Sequence, residues 1–163
     1  MNVVIREGKV DDLQAIRICI HEAYSDYISV LGKLPAAMVT DFSPLILAGY
    51  VYVLELNGEV VGTVTLKPAG THIEISALAI SPRFQHLGWG SRLMSFAEDC
   101  ARGMGVSELT LYTNDKLDHL IRYYQKLGFV ETERKEDKGY HRVFMRKMLF
   151  DRLATDITAH TVT

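Results

Sequence analysis

The sequence has few cysteines, little net charge and no long apolar run, and each of these shortages excludes a class of protein. Its two cysteines, Cys19 and Cys100, lie in helix-like patterns, so we expect two reduced thiols in a cytoplasmic protein rather than a disulfide. Eighteen Lys and Arg against twenty Asp and Glu give a net charge of −2, so neither nucleic acid nor an anionic membrane is an expected partner. Residues 42–54, the longest uncharged stretch, are too few to span a bilayer, and residues 1–10 do not resemble a signal peptide.

The hydrophobic content, in contrast, is that of an ordinary globular protein. Hydrophobic residues make up 48% of the 163 residues, which predicts a packed core and a single domain. We place this domain at residues 1–150, and residues 151–163, which show no clear period, form a predicted C-terminal tail. The six histidines and two cysteines lack the spacing of zinc ligands, so no metal is expected.

Apolar periodicity and turn residues predict a mixed α/β domain with the element order β-α-α-β-β-β-α-β-α-β-β. Asp11 with Gln14 resembles a capping box before the first helix, and Asn57-Gly58 is a strong hairpin signal. The predicted strands are 3–5, 50–56, 59–67, 73–80, 108–113, 129–134 and 140–147. Four helices are predicted: the first follows Asp11, the second covers 36–47, the third begins at Gly88–Gly90, and the fourth extends from about Leu117 to Leu127.

The turn that ends strand 73–80 carries the clearest chemical signal. Gly88 and Gly90 stand one residue apart where a helix begins, and the first N–H groups of a helix have no partner within it. Glycines let such amides approach a phosphate closely, although on pattern alone this turn is more often a plain tight turn. Leu93 stands where a dinucleotide fingerprint has its third glycine, and no Gly-Lys-Ser/Thr completes a P-loop.

Two segments resemble the GNAT (general N-acetyltransferase) superfamily. Gln85-His86-Leu87-Gly88-Trp89-Gly90 is similar to its pattern Gln/Arg-x-x-Gly-x-Gly/Ala, and Tyr124-Gln125-Lys126-Leu127-Gly128-Phe129 is similar to its Tyr-x-Lys-Leu-Gly-Phe ending. The resemblance extends from Val3 to about Met148. It implies a GNAT-like mixed twisted sheet with helices on both faces, and an acyltransferase that uses acetyl-CoA as cosubstrate.

The same resemblance implies a coenzyme site. Gln85 and the amides from Leu87 to Ser91 would hold the pyrophosphate, and the backbone of Leu78 and Ile80 would pair with the pantetheine arm. Many relatives also have an asparagine seven residues before the tyrosine, where this chain has Leu117, so Asn114 either takes that role or caps the helix. The predicted coenzyme-binding residues are Leu78, Ala79, Ile80, Gln85, His86, Leu87, Gly88, Trp89, Gly90, Ser91 and Asn114.

Tyr124 is the catalytic acid that the resemblance implies. In the family this hydroxyl lies beside the thioester sulfur and protonates the departing thiolate, and a phenol with a pKa near 10 is protonated at neutral pH. A core tyrosine on the apolar stripe of its helix would show the same spacing, and Tyr123 lies off that stripe.

Glu74 is the candidate base, because it is an acid within an otherwise apolar strand. With no bulge, its side chain shares a face with Leu78 and Ile80, although a solvated residue on a half-exposed strand would fit the pattern equally well. His72 and His119 are weaker alternatives. Tyr24, Tyr27, Met38, Asp41 and Phe42 lie where the family forms its acceptor wall, and the two tyrosines also extend a core stripe.

The sequence therefore predicts an N-acetyltransferase that moves an acetyl group from acetyl-CoA to a primary amine. The absence of a nucleophile turn such as Gly-x-Ser-x-Gly favours direct attack on the thioester. The alternatives are a non-catalytic module that binds or senses acyl-CoA and an interaction domain in which both glycines only turn the chain. A small-molecule amine or a peptide amine is the expected acceptor, and a homodimer is possible.

Overall fold

The computed structural model describes residues 1–149. Within these residues the chain divides into two compact units. The first unit contains Met1–Lys67 with Ile75–Ala97, and the second contains Pro68–Glu74 with the chain from Glu98 onward. The predicted tail, residues 151–163, lies outside the described residues, and the single domain predicted for residues 1–150 stays a prediction.

The described chain contains seven strands, five α-helices and three short 3₁₀ turns. The strands are β1 (Val3–Glu7), β2 (Val51–Leu56), β3 (Glu59–Ala69), β4 (His72–Ile80), β5 (Glu108–Asn114), β6 (Val130–Asp137) and β7 (Tyr140–Met148). The helices are α1 (Leu13–Tyr24), α2 (Tyr27–Leu31), α3 (Ser43–Leu47), α4 (Trp89–Gly103) and α5 (Asp118–Lys126). The strand order in the sheet is β1-β2-β3-β4-β5-β7-β6, and β4 belongs to both units.

The core of the first unit forms between α1 and the strands. Ile16, Cys19 and Ile20 recur at the three- and four-residue spacing of one helix face and are buried. They belong to one apolar cluster with residues of β2 and of the later part of β4, namely Val51, Val53, Ala77 and Ala79, together with Phe42 and Ile46. This cluster packs against β4 in the segment that leads to the predicted coenzyme turn.

The second unit is built on antiparallel pairs of β5 with β7 and of β7 with β6. Burial alternates along β5, so Leu109, Leu111 and Thr113 are buried while Thr110 and Tyr112 lie on the half-exposed face. The outer strand β6 is charged and mostly exposed. Charged side chains on an edge strand oppose pairing with another chain.

The predicted mixed α/β class is confirmed, and the strand predictions agree with the structure to within a few residues. The helix predicted over 36–47 is wrong: a 3₁₀ turn, Ala36–Val39, is separated from α3 by extended backbone at Thr40. The physical reason is local, because the Asp41 carboxylate accepts the Ser43 N–H at 3.0 Å and Pro44 then opens α3. The residue that precedes α1 is Asp12 rather than the expected Asp11.

Candidate active site

The turn between β4 and α4, in the first unit, has the backbone geometry of an anion-binding loop. His86 and Gly88 both have left-handed backbone, with φ of 63° and 89°, on either side of Leu87, which is 67% exposed. The Gly88 carbonyl accepts the N–H of Arg92 at 3.0 Å, so the first turn of α4 begins immediately after Gly88. The amides from Trp89 to Ser91 therefore have no carbonyl four residues earlier within the helix. Alternating backbone of this kind next to a helix N-terminus forms a concave site for anions.

The carbonyl groups at the end of β4 already accept hydrogen bonds from side chains, including one from Cys19 Sγ to the Ala79 oxygen at 3.8 Å. The Tyr24 hydroxyl donates to the Leu78 oxygen at 3.0 Å, and Gln85 Nε2 donates to the Ile80 oxygen at 2.9 Å. Gln85 thereby ties the predicted phosphate turn back to the end of its own strand. A pantetheine arm that pairs with Leu78 and Ile80 must use their N–H groups or the second lone pair of each oxygen. The Ala79 side chain belongs to the apolar core cluster instead.

Gly62 on β3 is a residue that the sequence interpretation missed. A Cβ atom built there would lie 2.8 Å from Ile80 Cδ1, 3.3 Å from the Ala79 oxygen and 3.3 Å from Leu93 Cδ1. Glycine thus lets β3 pack closely against the end of β4 and the first turns of α4, and a larger residue would have to displace the terminal methyl of Ile80. A lone glycine inside an apolar strand is the signal that could have identified it.

Tyr124, in the second unit, is held by aromatic neighbours. It is 9% exposed, and its ring centroid lies 5.4 Å from that of Tyr123 and 5.9 Å from that of Phe129. Its backbone oxygen also accepts the Phe129 N–H at 3.0 Å, which closes the helix end at Gly128. Burial and these contacts fix the ring, as expected for a core tyrosine and equally for a pre-positioned acid.

Asn114 ends β5 and turns the chain toward α5. Its Oδ1 accepts the Lys116 N–H at 3.0 Å, and its carbonyl accepts the Leu117 N–H at 3.0 Å. The residue at the N-cap of α5 is Leu117, so Asn114 stabilises the turn before the helix rather than capping it. A contact between Asn114 and the coenzyme stays a prediction.

Glu74 lines a groove of about 380 Å³ on one face of the sheet in the second unit. His72 shares this face of β4, and Tyr112 and Phe144, which are opposite each other on β5 and β7, also line the groove. Burial raises the pKa of the Tyr112 hydroxyl, the positive charge of Arg142 opposes this rise, and the negative charge of Glu74 adds to it. Glu74 is thus a half-buried carboxylate beside a phenol, in a groove large enough for a small molecule.

The residues expected to form the acceptor wall lie in the first unit, around a second groove of about 370 Å³. Met38 and Phe42 line it, but Phe42 is 1% exposed and belongs to the apolar core. Tyr24 and Tyr27 contact each other edge to face, with 5.7 Å between ring centroids. Asp41 is exposed, with a carboxylate oxygen 3.9 Å from Arg17 Nη2.

The predicted site residues therefore fall into two groups. The strand end and phosphate turn, from Leu78 to Ser91, belong to the first unit, whereas Glu74, Asn114 and Tyr124 belong to the second. Among residues 1–149, no group of three or more His, Cys, Asp and Glu side chains could hold a metal ion. In the same part of the chain, no helix combines the length and apolar character needed to cross a membrane.

Comparison with known proteins identifies the family. The acetyltransferase (GNAT) family model matches residues 19–129. Ard1 from Thermoplasma volcanium is 22% identical, with a TM-score of 0.71 over 93% of this chain and 100% of that chain. The PaiA N-acetyltransferase from Thermoplasma acidophilum, solved with coenzyme A, is 19% identical, with a TM-score of 0.74 over 91% and 99% of the two chains. The ribosomal-protein-S18-alanine N-acetyltransferase from Escherichia coli is 18% identical, with a TM-score of 0.69 over 92% and 96%. No curated protein sequence matches this chain.

These three structures share the fold, and the family match covers both segments that carry the sequence resemblance, the Gln85–Gly90 turn and the Tyr124–Phe129 helix end. The chain belongs to the acetyltransferase (GNAT) family, a family of acetyl-CoA-dependent N-acetyltransferases.

Proposed function

We propose that the protein transfers the acetyl group of acetyl-CoA to the primary amine of a small acceptor, by direct attack of the amine on the thioester. The observation that carries this proposal is the turn between β4 and α4. Its left-handed residues, His86 and Gly88, precede a helix whose first amides have no carbonyl four residues earlier within the helix. These amides and the helix dipole suit the pyrophosphate of coenzyme A, and they need no cationic side chain to bind it.

The acceptor amine must lose a proton before it attacks, because an alkylammonium with a pKa near 10.4 is almost fully protonated at neutral pH. Glu74 is the proposed base, acting directly or through one water molecule. Its support is its position in the groove, half-buried beside Tyr112. The free amine then attacks the thioester carbonyl carbon, a C–N bond forms, the C–S bond breaks, and the electron pair of that bond leaves on sulfur.

Tyr124 is the proposed acid that gives the departing sulfur its proton. The fixed position of its ring, between Tyr123 and Phe129, supports this role, because a donor that is already in place costs little reorganisation when charge develops. The products are then an amide and a neutral thiol. The ammonium loses two protons as it becomes an amide. Glu74 takes the first, and the second passes from the nitrogen after attack to the Tyr124 phenolate, directly or through water, which restores the hydroxyl. Protonated Glu74 then returns its proton to water, so atoms and charges balance.

Direct transfer is favoured over an acyl-enzyme on cysteine. Burial raises the pKa of the Cys19 thiol to about 11, and burial also raises the pKa of Cys100. A thiol attacks as its thiolate, so both shifts make these cysteines poor nucleophiles at neutral pH. Neither is therefore an acyl carrier in the proposed mechanism.

The test has two steps that separate binding from turnover. Saturating acetyl-CoA should raise the melting temperature of the protein, because a ligand that binds only the folded state stabilises it. Thiol release is then followed with a panel of primary amines, amino acids, polyamines and peptides with free N-termini. An unchanged melting temperature would refute coenzyme binding, while stabilisation without thiol release from any acceptor would favour a module that binds acyl-CoA without turnover.

A further inference from the structure

Arg142 on β7 is a buried cation in the same unit as Glu74. It is 6% exposed, and its guanidinium carbon lies 4.0 Å from the centre of the Tyr112 ring and 5.4 Å from the centre of the Tyr140 ring. Its Nη1 donates to Asp137 Oδ2 at 2.5 Å. Contacts with two aromatic rings and an ion pair at one nitrogen leave the guanidinium little freedom to move.

The hydrogen-bonding capacity of this guanidinium is only partly used. Arginine carries five N–H donors, and a buried cation is costly unless its donors are paired. Among the described residues, the Asp137 carboxylate is the acceptor for Arg142, through Nη1, and neither Nε nor Nη2 donates to a described residue. Nε and Nη2 form the edge of the guanidinium that binds a carboxylate through two parallel hydrogen bonds. Nε and Nη2 therefore keep donors for an anion that reaches them past Tyr112, which lines the groove, whereas Arg142 itself is not among the lining residues.

The charges of Arg142 and Glu74 both affect the hydroxyl of Tyr112. The pKa of the Tyr112 hydroxyl is influenced by the charges of both residues, in opposite directions, so the phenol lies near both the cation and the carboxylate. In the strand register Arg142 is opposite Asn114 on β5 and Lys135 on β6, and Tyr112 is opposite Phe144. Directly opposite residues share a face of an antiparallel sheet, and this face contains the Glu74 groove.

The charges on this face suit an acceptor that carries both signs. Acidic side chains, Glu74, Glu108 and Glu133, and basic side chains, Lys135 and Arg146, line the same groove. A polyamine placed there would bring its cations beside the basic groups. A plain alkylamine would leave the open edge of Arg142 without a partner. A molecule with an ammonium group and a nearby carboxylate can place one beside Glu74 and the other against Arg142.

We infer that the acceptor is a small amino acid, a free amine-bearing carboxylic acid, whose carboxylate binds the Nε and Nη2 edge of Arg142 while its amine faces Glu74. This inference rests on the proposed acetyl transfer and adds the substrate class and a specificity-determining residue. Asp137 holds the guanidinium in orientation through Nη1. Peptide N-termini are poor acceptors in this arrangement, because the group that follows their amine is an amide rather than a carboxylate.

The experiment compares each free L-amino acid with its own carboxamide in the thiol-release assay, using wild-type protein and saturating acetyl-CoA. Each pair has the same side chain and differs only in the charge of the group that would face Arg142. We expect kcat/KM for the best amino acid to exceed that of its carboxamide by about tenfold or more, since charge-assisted bidentate hydrogen bonds are strong. Equal values, or turnover confined to amines that have no carboxylate, would overturn the inference and leave the proposed function standing.

Three variants locate the effect. Arg142→Gln should remove the preference by raising KM for the amino acid about tenfold, with little change in kcat or in the carboxamide reaction, and Arg142→Lys should keep part of it. Arg134→Gln is the matched control, because Arg134 is an exposed arginine of β6 that pairs with Glu131 and is opposite Val143 rather than Arg142. If Arg142→Gln does not fold, the inference is tested by the ratio of kcat/KM for the amino acid to kcat/KM for its carboxamide, compared between wild type and Arg142→Lys. A protein that is stabilised by acetyl-CoA but acetylates no amino acid would also refute the inference, whereas failure to bind acetyl-CoA would refute the proposed function itself.

Discussion

The Tyr24 hydroxyl donates a 3.0 Å hydrogen bond to the Leu78 carbonyl oxygen, and so joins the last turn of α1 to the later part of β4. This bond lies within the first unit, on the strand that the resemblance assigns to the pantetheine arm. The stripe of α1 that contains Ile16 and Ile20 predicted Tyr24 to be a core residue. The hydrogen bond adds a second role, since it fixes the orientation of a peptide group that the coenzyme is expected to meet.

Tyr24→Phe should lower stability more than it lowers coenzyme affinity. The ring keeps its contacts, while one net hydrogen bond, worth about 1 kcal/mol, is lost. For a chain of this size that corresponds to about 2 to 4 °C in melting temperature. Calorimetry and titration with acetyl-CoA measure the two effects, and we expect the Kd to change by less than about threefold. A tenfold weaker Kd at an unchanged melting temperature would instead place the hydroxyl in the coenzyme site.

Asp12→Asn should give a pH-dependent loss of stability. The Asp12 oxygens accept from both terminal nitrogens of Arg6, at 2.8 and 2.9 Å, and from the Lys9 N–H at 2.8 Å. The bonds from Arg6 hold the pKa of Asp12 below its ordinary value of 3.8. Because the folded pKa is the lower one, the stabilisation is complete above the pKa of the unfolded chain and is lost as pH falls through the folded pKa.

The melting temperatures of wild type and Asp12→Asn should therefore differ by about 2 to 4 °C from pH 5 to 7, if the carboxylate contributes about 1 kcal/mol. The difference should shrink below about pH 4 as the wild-type carboxyl gains its proton. Asp11→Asn is the control, because Asp11 is exposed and is not the N-cap residue of α1. A difference that stays constant down to pH 2 would mean that the amide perturbs packing rather than charge.

The strands could be predicted from the sequence because their signals are local. Asn57 and Gly58 both have left-handed backbone, φ of 52° and 83°, as the hairpin signal requires. The helix over 36–47 was predicted wrongly, although its apolar spacing is also a local signal. The spacing does not show that the chain is extended at Thr40, just before the Asp41 side chain accepts a hydrogen bond from the Ser43 N–H. An apolar period does not reveal a side chain that replaces a backbone hydrogen bond.

From the sequence, candidate site residues could be named mainly where a short motif contains them. The glycines of the predicted phosphate turn and Tyr124 are recognisable along the chain. In the structure these glycines lie at the N-terminus of α4, and the ring of Tyr124 is buried. Arg142 could not be identified, because its proposed role depends on Tyr112, 30 residues earlier, and on the register of β5 with β7. Single-sequence patterns contain no information on such pairing between distant strands.

Gly90→Val should weaken acetyl-CoA binding by about tenfold or more and leave folding nearly unchanged. Gly90 lies in the first turn of α4 and is not among the left-handed glycines, so valine does not strain the backbone there. A branched side chain at that position would obstruct a phosphate that approaches the helix amides.

Gly103→Val is the matched control for this change, since Gly103 ends the same helix and a Cβ built there meets no other heavy atom within 4 Å. Titration calorimetry gives the Kd for acetyl-CoA in both variants. Equal affinity in the two folded proteins would show that Gly90 only shapes the turn.

Glu74→Gln should lower turnover by about 10² at neutral pH and leave the Kd for acetyl-CoA unchanged. The amide keeps the size of the side chain in the groove but cannot accept the proton of the ammonium group. The loss should diminish as pH approaches the pKa of the acceptor amine, about 10, because the free amine then needs no base. A pH series of kcat for wild type and variant measures this, and a small, pH-independent loss would transfer the role to water or to another residue.

Tyr124→Phe should keep the fold and coenzyme affinity but lose about 10² or more in kcat, within the usual range for a general acid. The ring supplies the contacts to Tyr123 and Phe129, so removing one oxygen leaves this aromatic packing in place. The hydroxyl acts only when negative charge builds on sulfur, and its removal should therefore slow the chemical step rather than weaken binding.

The measurements for Tyr124→Phe are kcat with the best acceptor, the melting temperature and the Kd for acetyl-CoA, and Tyr123→Phe, on the adjacent ring, is the control that should change kcat little. A leaving group that needs no proton provides a sharper comparison. With an acetyl thioester of a more acidic thiol, the variant should recover much of the lost rate, because a stable thiolate departs without help. A lower melting temperature with normal kcat would make Tyr124 a structural core residue, and an equal loss of rate with both thioesters would exclude proton donation to sulfur.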